Sequence, residues 1–189
     1  MLPYHQRLAK VALDAIEKYG FVLAGGYAIS ANGMGNRPSS DVDLFTNSGS
    51  PEQFAAALNE FRTAFGAAGL VIEDRNIRPL FASMFVTDPA TGEASEIQLG
   101  MNYRAFPPHR IEIGPVLDER DAVAGKMSAL WSRGECRDYI DIDTVLASGR
   151  FTKEEVLAIG DSQEALPMDR EMLAERLRGA AGRLLRVWS

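Results

Sequence analysis

Apolar residues recur at helical spacing from the start of the chain, and charged residues fill the positions between them. Gly20 follows this pattern as a C-cap would, which predicts an amphipathic helix ending near Gly20. The apolar positions of its inner face are Leu8, Val11, Ala12, Ala15 and Ile16. The same spacing recurs in residues 50–68, with Ser50 at the cap position and Pro51 at the first helical position. Charges interrupt the first pattern throughout, so it does not resemble a signal peptide.

Short apolar runs bounded by turn residues predict the strands of a sheet. The predicted strands cover residues 21–24, 41–45, 70–74, 80–86, 95–99 and 111–113. Residues 88–92 form a turn that joins two of these strands as a hairpin. Gly25 and Gly26 precede a predicted helix over residues 28–34, and residues 36–40 form a loop by composition.

From residue 119 onward the hydrophobic period is helical. The predicted helices cover residues 119–133, 136–147, 152–160 and 168–187. Gly149 and Pro167 separate the later helices. The predicted fold class is therefore α+β (α/β). A sheet flanked by helices covers residues 1–115, and a helical region over residues 116–189 packs on it as one compact unit.

The composition is that of an ordinary globular protein, with 46% hydrophobic and 24% charged residues in a chain of 189. No run of roughly 18 apolar residues occurs, so no membrane span and no membrane partner are expected. The single cysteine, Cys136, excludes an internal disulfide and favours a cytoplasmic location. Since His5 and His109 are the only histidines, a zinc site is not expected, and both are predicted to lie on the surface.

The net charge of −6 and the pI of about 5.0 bear on nucleic-acid binding. A protein that binds nucleic acid through its overall charge is basic, so an RNA partner would need a local basic face. The C-terminal helix offers one, because residues 169–189 carry five arginines and three acidic residues. Among them, Arg176, Arg178 and Arg183 are the candidate RNA-binding residues. The alternative is an ordinary amphipathic helix with a solvated polar face.

Two carboxylates lie one residue apart in the segment Asp41-Val42-Asp43. The strand period of two places Asp41 and Asp43 on one face and Val42 on the other. Adjacent carboxylates repel each other unless a positive charge lies between them, and Mg²⁺ commonly binds through one or two carboxylates plus phosphates. Gly25 and Gly26 precede a helix whose first N–H groups are free to hold phosphate. These features predict a site for a metal ion and a triphosphate.

Two blocks of the sequence carry a family resemblance. The first resembles the signature of the polymerase-beta-like nucleotidyltransferase superfamily and consists of Gly25, Gly26, Arg37, Ser39, Asp41, Asp43 and Leu44. The second resembles the AbiEii/AbiGii toxin family, which includes the MenT-type toxins of type IV toxin–antitoxin systems. It consists of Lys126, Ala129, Leu130, Arg133, Arg137, Asp138 and Asp141. Either block alone is a weak signal, and the two together are fairly specific.

The resemblance implies transfer of a nucleoside monophosphate from a nucleoside triphosphate (NTP) to the 3′ end of tRNA. Such a modification would stop translation, and a cognate antitoxin would neutralise the toxin. The resemblance further implies that Asp41 and Asp43 hold Mg²⁺ (or Mn²⁺). The residues implied in phosphate binding are Gly25, Gly26, Arg37, Ser39 and Lys126. Asp138 or Asp141 would orient the lysine or act as an acid or base, and the spacing leaves the choice open.

Two positions depart from the superfamily pattern. Superfamily enzymes often carry a third carboxylate on a later strand, here residues 95–99, where Glu96 and Gln98 share a face. Glu96 is the candidate; if Gln98 takes this position instead, a carboxylate is missing and the base lies elsewhere. The Gly-Gly turn also replaces the Gly-Ser of many relatives, and Tyr27 is the candidate to supply the missing hydroxyl.

Two alternative functions remain open at this point. The acceptor could be a small molecule, as in aminoglycoside nucleotidyltransferases, or a protein hydroxyl, because an acidic cleft attracts a small cation. The chain could also be a non-catalytic nucleotide-binding module, which the missing third carboxylate would favour. Mg²⁺-dependent turnover of NTP distinguishes both enzymes from the module, and added RNA distinguishes the acceptors.

Overall fold

The computed structural model describes residues 1–162 and 168–187, with side chains described as far as residue 178. Helices α1 to α7 span Pro3–Ile16, Gly25–Ala31, Pro51–Ala67, Glu119–Ser132, Cys136–Ala147, Lys153–Asp161 and Arg170–Val187. Strands β1 to β7 span Val22–Leu23, Asp41–Thr46, Val71–Arg78, Phe81–Thr87, Ala94–Met101, His109–Ile111 and Gly114–Val116.

Local signals explain why the longest helices form where they do. Helix α3 begins at a capping box, in which Gln53 N–H donates to the Ser50 hydroxyl at 3.3 Å and the Gln53 side chain accepts from Ser50 N–H at 3.2 Å. Its apolar face is buried through Phe54, Leu58, Phe61 and Phe65. The 3₁₀ turn after α1 ends at Gly20, whose φ of +79° is the left-handed conformation that glycine adopts readily.

The seven strands form one mixed sheet in the order β3-β4-β5-β2-β1-β7-β6. Strand β2 pairs in parallel with β5 and antiparallel with β1, so it lies at the centre of the sheet. The β2–β5 register places Asp41 opposite Glu96 and Asp43 opposite Gln98. This arrangement, followed by helices, confirms the predicted α+β fold class. It also brings the candidate third strand directly beside the paired carboxylates.

Several boundaries differ from the sequence predictions, among them the end of α1 at Ile16 and the end of β3 at Arg78. Helix α2 begins at Gly25 itself and not at residue 28, because the glycines occupy the first helical positions. The region around residues 111–113 is the turn of a hairpin made by β6 and β7. The last strand therefore ends at Val116, where its neighbour in the sheet is Leu23. The division of the chain near residue 115 stays a prediction.

The helices cover the sheet and close its core. Helix α1 contacts α3 and β2, whereas α4 contacts α2, α5 and α6. The predicted surface position of His5 is wrong, because this residue of α1 is only 5% exposed and its Nδ1 lies 2.5 Å from the Tyr27 hydroxyl. His109 is exposed, as predicted. Among the described residues, no helix has both the length and the apolar character needed to cross a membrane.

Candidate active site

A cleft opens between the centre of the sheet and the helices α2, α4 and α5. Strand β2 lines it with three side chains of one face, Asp41, Asp43 and Phe45. The remaining lining residues include Gly25, Arg37, Ser39, Gln98, Asn102, Tyr103, Arg104, Asp121, Lys126, Arg133 and Arg137. Residues from both blocks of sequence thus meet in one cavity, although they lie about a hundred positions apart.

Asp41 is held in place by the loop that precedes it. The Ser39 hydroxyl donates to Asp41 Oδ1 at 2.9 Å, and the Ser40 hydroxyl donates to the same oxygen at 3.3 Å. Ser39 is buried and lies close to Gly26, where an added Cβ would come 3.1 Å from the Ser39 hydroxyl. Ser39 therefore orients a carboxylate, and its predicted contact with phosphate stays a prediction.

Asp43 lies against the first residue of α2. A Cβ built on Gly25 would lie 1.8 Å from Asp43 Oδ2, and the φ of Gly25 is +58°. Only glycine fits this position, both for space and for backbone conformation. Burial and, secondarily, the negative charge of Asp41 raise the pKa of Asp43 to about 7, although Lys126 and nearby arginines oppose the shift. The nearby cations therefore do not fully offset the negative charge of Asp41 and Asp43.

The loop before β2 is anchored from behind by buried polar residues. The Tyr27 hydroxyl donates to the Ser39 carbonyl at 3.3 Å and also contacts His5. Tyr27 is only 3% exposed and is absent from the lining of the cleft. The expectation that Tyr27 supplies a phosphate-binding hydroxyl is therefore wrong, since its hydroxyl points into the protein.

Asp141 connects two cations of the cleft. Lys126 Nζ lies 2.7 Å from Asp141 Oδ2, and Arg37 donates to Asp141 Oδ1 from Nε at 3.0 Å and from Nη2 at 2.8 Å. Lys126 and Asp141 are both buried, and Asp141 is not part of the cleft lining. The aspartate therefore stands behind the lysine and fixes its direction.

Asp138 likewise orients a cation of the cleft, Arg133. It is fully buried and accepts from Arg133 Nε at 2.9 Å, from Arg133 Nη2 at 2.8 Å and from Glu135 N–H at 3.0 Å. Burial opposes its ionisation, but the hydrogen bonds and charge of Arg133 outweigh burial and lower the pKa of Asp138. The alternatives that the sequence left open thus separate: Asp141 contacts the lysine and Asp138 contacts an arginine.

Two cleft arginines lay within the second sequence block but had no predicted role. Arg133 borders the cleft while bound to Asp138. Arg137 Nη1 lies 3.7 Å from Asp41 Oδ2, and its Nε lies 2.9 Å from Glu135 Oε2 without the angle of a hydrogen bond. Their spacing from Lys126 on a helical pattern was visible in the sequence. No local feature of the sequence predicted that Arg133 and Arg137 would both face the carboxylates.

Of the two candidates on β5 for the third-carboxylate position, Gln98 reaches the cleft and Glu96 does not. Gln98 lies opposite Asp43 in the sheet and lines the cleft. Glu96 is absent from that lining, and its Oε1 accepts from the Ser83 hydroxyl at 2.6 Å and from Gln98 Nε2 at 3.0 Å. Glu96 lies opposite Asp41 in the sheet and orients Gln98, and its role as a third carboxylate stays a prediction.

Asp121 is a site residue that the sequence did not single out. It lies in the first turn of α4, is only 4% exposed and lines the cleft. Its carboxylate accepts from the backbone N–H groups of Ala105 and Phe106, both at 2.9 Å. Asp121 therefore fixes the loop after β5 to the start of α4. Its position among charged neighbours in the sequence gave no sign of burial.

The candidate RNA-binding arginines of α7 have different surroundings. Arg176 is half-buried, with its guanidinium 6.0 Å from the centre of the Trp131 ring. Arg178 is exposed. The side chain of Arg183 lies outside the described residues. The role of these three residues stays a prediction.

The carboxylate pair fits a divalent cation. Among the described side chains, no group of three or more His, Cys, Asp or Glu residues forms a complete protein-made metal site. Two carboxylates on one strand face, with the raised pKa of Asp43, match a Mg²⁺ ion that completes its coordination with phosphate and water. Asp41 and Asp43 are the residues that could hold it.

The family comparison agrees with both sequence blocks. Residues 7–181 match the family described as nucleotidyl transferase AbiEii toxin, type IV TA system. The match covers the carboxylate pair, the cleft cations and most of α7. No curated protein matches the sequence.

Solved structures share the fold at low sequence identity. JHP933 from Helicobacter pylori has a TM-score of 0.55 and 19% identity, over 95% of this chain and 89% of that chain. MenT4, a nucleotidyltransferase toxin from Mycobacterium tuberculosis, has a TM-score of 0.56 and 17% identity, over 89% and 71%. The Megavirus polyadenylate synthase gives 0.55 and 13%, over 81% and 34%. The expected polymerase-beta-like fold is confirmed.

Proposed function

The chain belongs to the AbiEii nucleotidyltransferase toxin family of type IV toxin–antitoxin systems, and from this membership we propose that it transfers a nucleoside monophosphate from an NTP to the 3′ end of tRNA. The transfer releases pyrophosphate, requires Mg²⁺ or Mn²⁺ and blocks translation. It takes place in the cytoplasm, and a cognate antitoxin neutralises it.

The observation that carries this proposal is the pairing of opposite charges across the cleft. One wall bears Asp41 and Asp43, and Lys126, Arg133 and Arg137 line the same cavity. A metal–NTP complex carries both signs of charge and matches this arrangement, because the metal binds carboxylates and the phosphates bind cations. Gly25 leaves room for Asp43 at a helix start, where backbone N–H groups favour phosphate.

The division of roles follows from which side chains reach the cavity. Asp41 and Asp43 would hold the metal ion, which would neutralise phosphate charge and lower the pKa of an attacking hydroxyl. Lys126 and Arg37 bind the phosphates, and Asp141 orients both through hydrogen bonds. Ser39 keeps Asp41 in position.

The carboxylates behind the cleft act through these cations. Asp138 and Asp141 contact basic side chains and are absent from the cavity lining. These contacts support a positioning role for both residues and disfavour either one as the base on the acceptor hydroxyl. Gln98, an amide opposite Asp43, lines the cleft, which supports a base that lies elsewhere.

The decisive experiment combines the purified protein, Mg²⁺, total tRNA and each α-³²P-labelled NTP in turn. We expect label in tRNA with one or two NTPs and none with Asp41→Asn, which keeps the shape of the side chain and removes its charge. Asp143→Asn is the matched control, because Asp143 is exposed and lies outside the cleft lining.

Periodate-oxidised tRNA tests the 3′ end in particular, because oxidation destroys the terminal ribose hydroxyls. Label that enters oxidised tRNA as well as intact tRNA would contradict 3′ transfer. Mg²⁺-dependent NTP turnover without labelled RNA would indicate a small-molecule or protein acceptor. NTP binding without any turnover would instead leave the non-catalytic module as the function.

A further inference from the structure

The two ends of the cleft differ in chemistry. Strand β2 presents Asp41, Asp43 and then Phe45 along one face, a span of about 13 Å at the usual rise of a strand. Arg137 Nη1 lies 3.7 Å from Asp41 Oδ2 at the carboxylate end. Beyond Phe45 the lining consists of Asn102, Tyr103 and Arg104 from the loop after β5. A charged end is thus joined to an end with two aromatic rings.

Tyr103 is unusual among the aromatic residues of the described chain. It is 64% exposed, although it lines a cavity. Within the described residues, its ring and its hydroxyl have no hydrogen bond, ion pair or ring contact. The other tyrosines all contact a residue through their hydroxyls; they are Tyr4, Tyr19, Tyr27 and Tyr139. An aromatic ring left bare at a cavity has a face available for stacking.

The backbone on both sides of Tyr103 is fixed. Asn102 N–H donates to the Thr46 carbonyl at 2.8 Å, and Arg104 Nη1 donates to the Gly20 carbonyl at 3.0 Å. The next two N–H groups along the loop bind the Asp121 carboxylate. The loop therefore fixes the backbone that carries the exposed ring, so stacking on the ring would cost little ordering of the backbone.

We propose that Tyr103 is the stacking platform for the nucleobase of the donor NTP, beyond the phosphates in the same cleft. The inference rests on the proposed function, because it assigns the base end of that substrate. The order along β2 supports it: the carboxylates that suit the metal and phosphates come first, and Phe45 then leads to the loop. Stacking accepts every base through its π-face, so Tyr103 supplies affinity for all four NTPs.

The test measures NTP binding by calorimetry in Mg²⁺ without an acceptor, with inorganic tripolyphosphate as a probe of the phosphate end. Tyr103→Ala should raise the Kd of NTPs by roughly 10- to 100-fold and leave the Kd of tripolyphosphate unchanged. Tyr103→Phe should bind NTPs as the wild type does. Ile77→Ala is the control, because Ile77 is an exposed apolar residue of edge strand β3, outside the cleft lining.

Each other outcome overturns the inference in a recognisable way. Unchanged NTP affinity in Tyr103→Ala would exclude stacking on the donor, and a raised KM for tRNA in the same variant would place the acceptor's base there. Equal weakening of NTP and tripolyphosphate would show that Tyr103 only maintains the shape of the cleft. If the wild-type protein bound tripolyphosphate but no NTP, the stacking site would be contradicted. If it bound neither, the proposed function would be contradicted as well.

Discussion

The carboxylate of Asp43 occupies the space where any side chain at residue 25 would lie. A Cβ there would approach Asp43 Oδ2 to 1.8 Å, and the φ of +58° disfavours L side chains by roughly 1–2 kcal/mol. The need for glycine thus has two causes, the space taken by the Asp43 carboxylate and the left-handed backbone conformation. The identity of residue 25 therefore decides whether the metal-binding carboxylate pair can form.

Gly25→Ala should abolish detectable nucleotidyl transfer while the protein still folds, since Asp43 is pushed out of position. Initial rates with labelled NTP and urea unfolding measure the two effects. Gly66→Ala is the matched control, because a Cβ on Gly66 meets nothing within 4 Å. That control should keep full activity and unfold at an equal or higher urea concentration. Equal activity in both variants would contradict the close packing of Gly25 and Asp43.

Asp138 makes the stability of the protein sensitive to acid. Its pKa is lowered in the folded protein, so its contribution is present above the unfolded pKa of about 3.9 and is lost as pH falls through the folded value. Asp138→Asn should lower the free energy of unfolding by roughly 3 kcal/mol at pH 7, because Arg133 loses a buried partner.

Urea unfolding of wild type and Asp138→Asn between pH 7 and pH 2.5 checks this prediction. The difference in unfolding free energy between the two proteins should shrink steadily below about pH 4. A difference that stays constant across this range would show that the Asp138 carboxylate is not ionised against Arg133. Asp143→Asn again serves as the exposed control.

At the scale of elements, one buried aspartate of α5 joins α4 to the loop before β2. Asp141 contacts Lys126 on α4 and Arg37 in the loop, so three separate segments depend on it. None of these contacts is local, because Arg37 and Asp141 are 104 positions apart. The placement of the cleft cations is therefore a property of how helices pack against the loop.

Asp141→Asn should reduce kcat/KM for the NTP at least tenfold and lower unfolding free energy by about 3 kcal/mol, since two cations lose a buried counter-charge. Steady-state rates and urea unfolding measure the two quantities. Loss of stability with unchanged kcat/KM would show that the ion pairs support the fold alone and do not orient Lys126.

At the scale of the whole molecule, an acidic chain has to bind an anionic polymer. The net charge is −6, so any contact with tRNA depends on a local excess of arginine. Helix α7 contacts α5, which bears Arg137 beside the cleft. A basic face there would lie close to the site where the acceptor end must enter.

Replacing Arg176, Arg178 and Arg183 together with glutamate should weaken tRNA binding and reduce the slope of log K against log salt by roughly two. The charge-matched control replaces Arg62, Arg75 and Arg78 on α3 and β3 with glutamate. Filter binding of tRNA from 50 to 200 mM salt measures both variants. Equal slopes in the two variants would show that α7 makes no phosphate contacts.

The sequence by itself determined the local structural features of this protein. Strand period placed Asp41 and Asp43 on one face. The cap residues Ser50 and Pro51 located α3, and helical periodicity located α5. The two sequence blocks also identified the family. These features follow from backbone geometry and from residues close together in the chain, which is why periodicity and spacing revealed them.

Only the tertiary structure decided the rest. It separated Asp141, which binds the lysine, from Asp138, which binds Arg133. It also buried His5 and left Tyr103 bare at the cleft. These outcomes depend on which faces of α4, α5 and the loop after β5 meet β2. Such contacts join residues a hundred positions apart, and no periodicity within one element encodes which distant side chain becomes its partner.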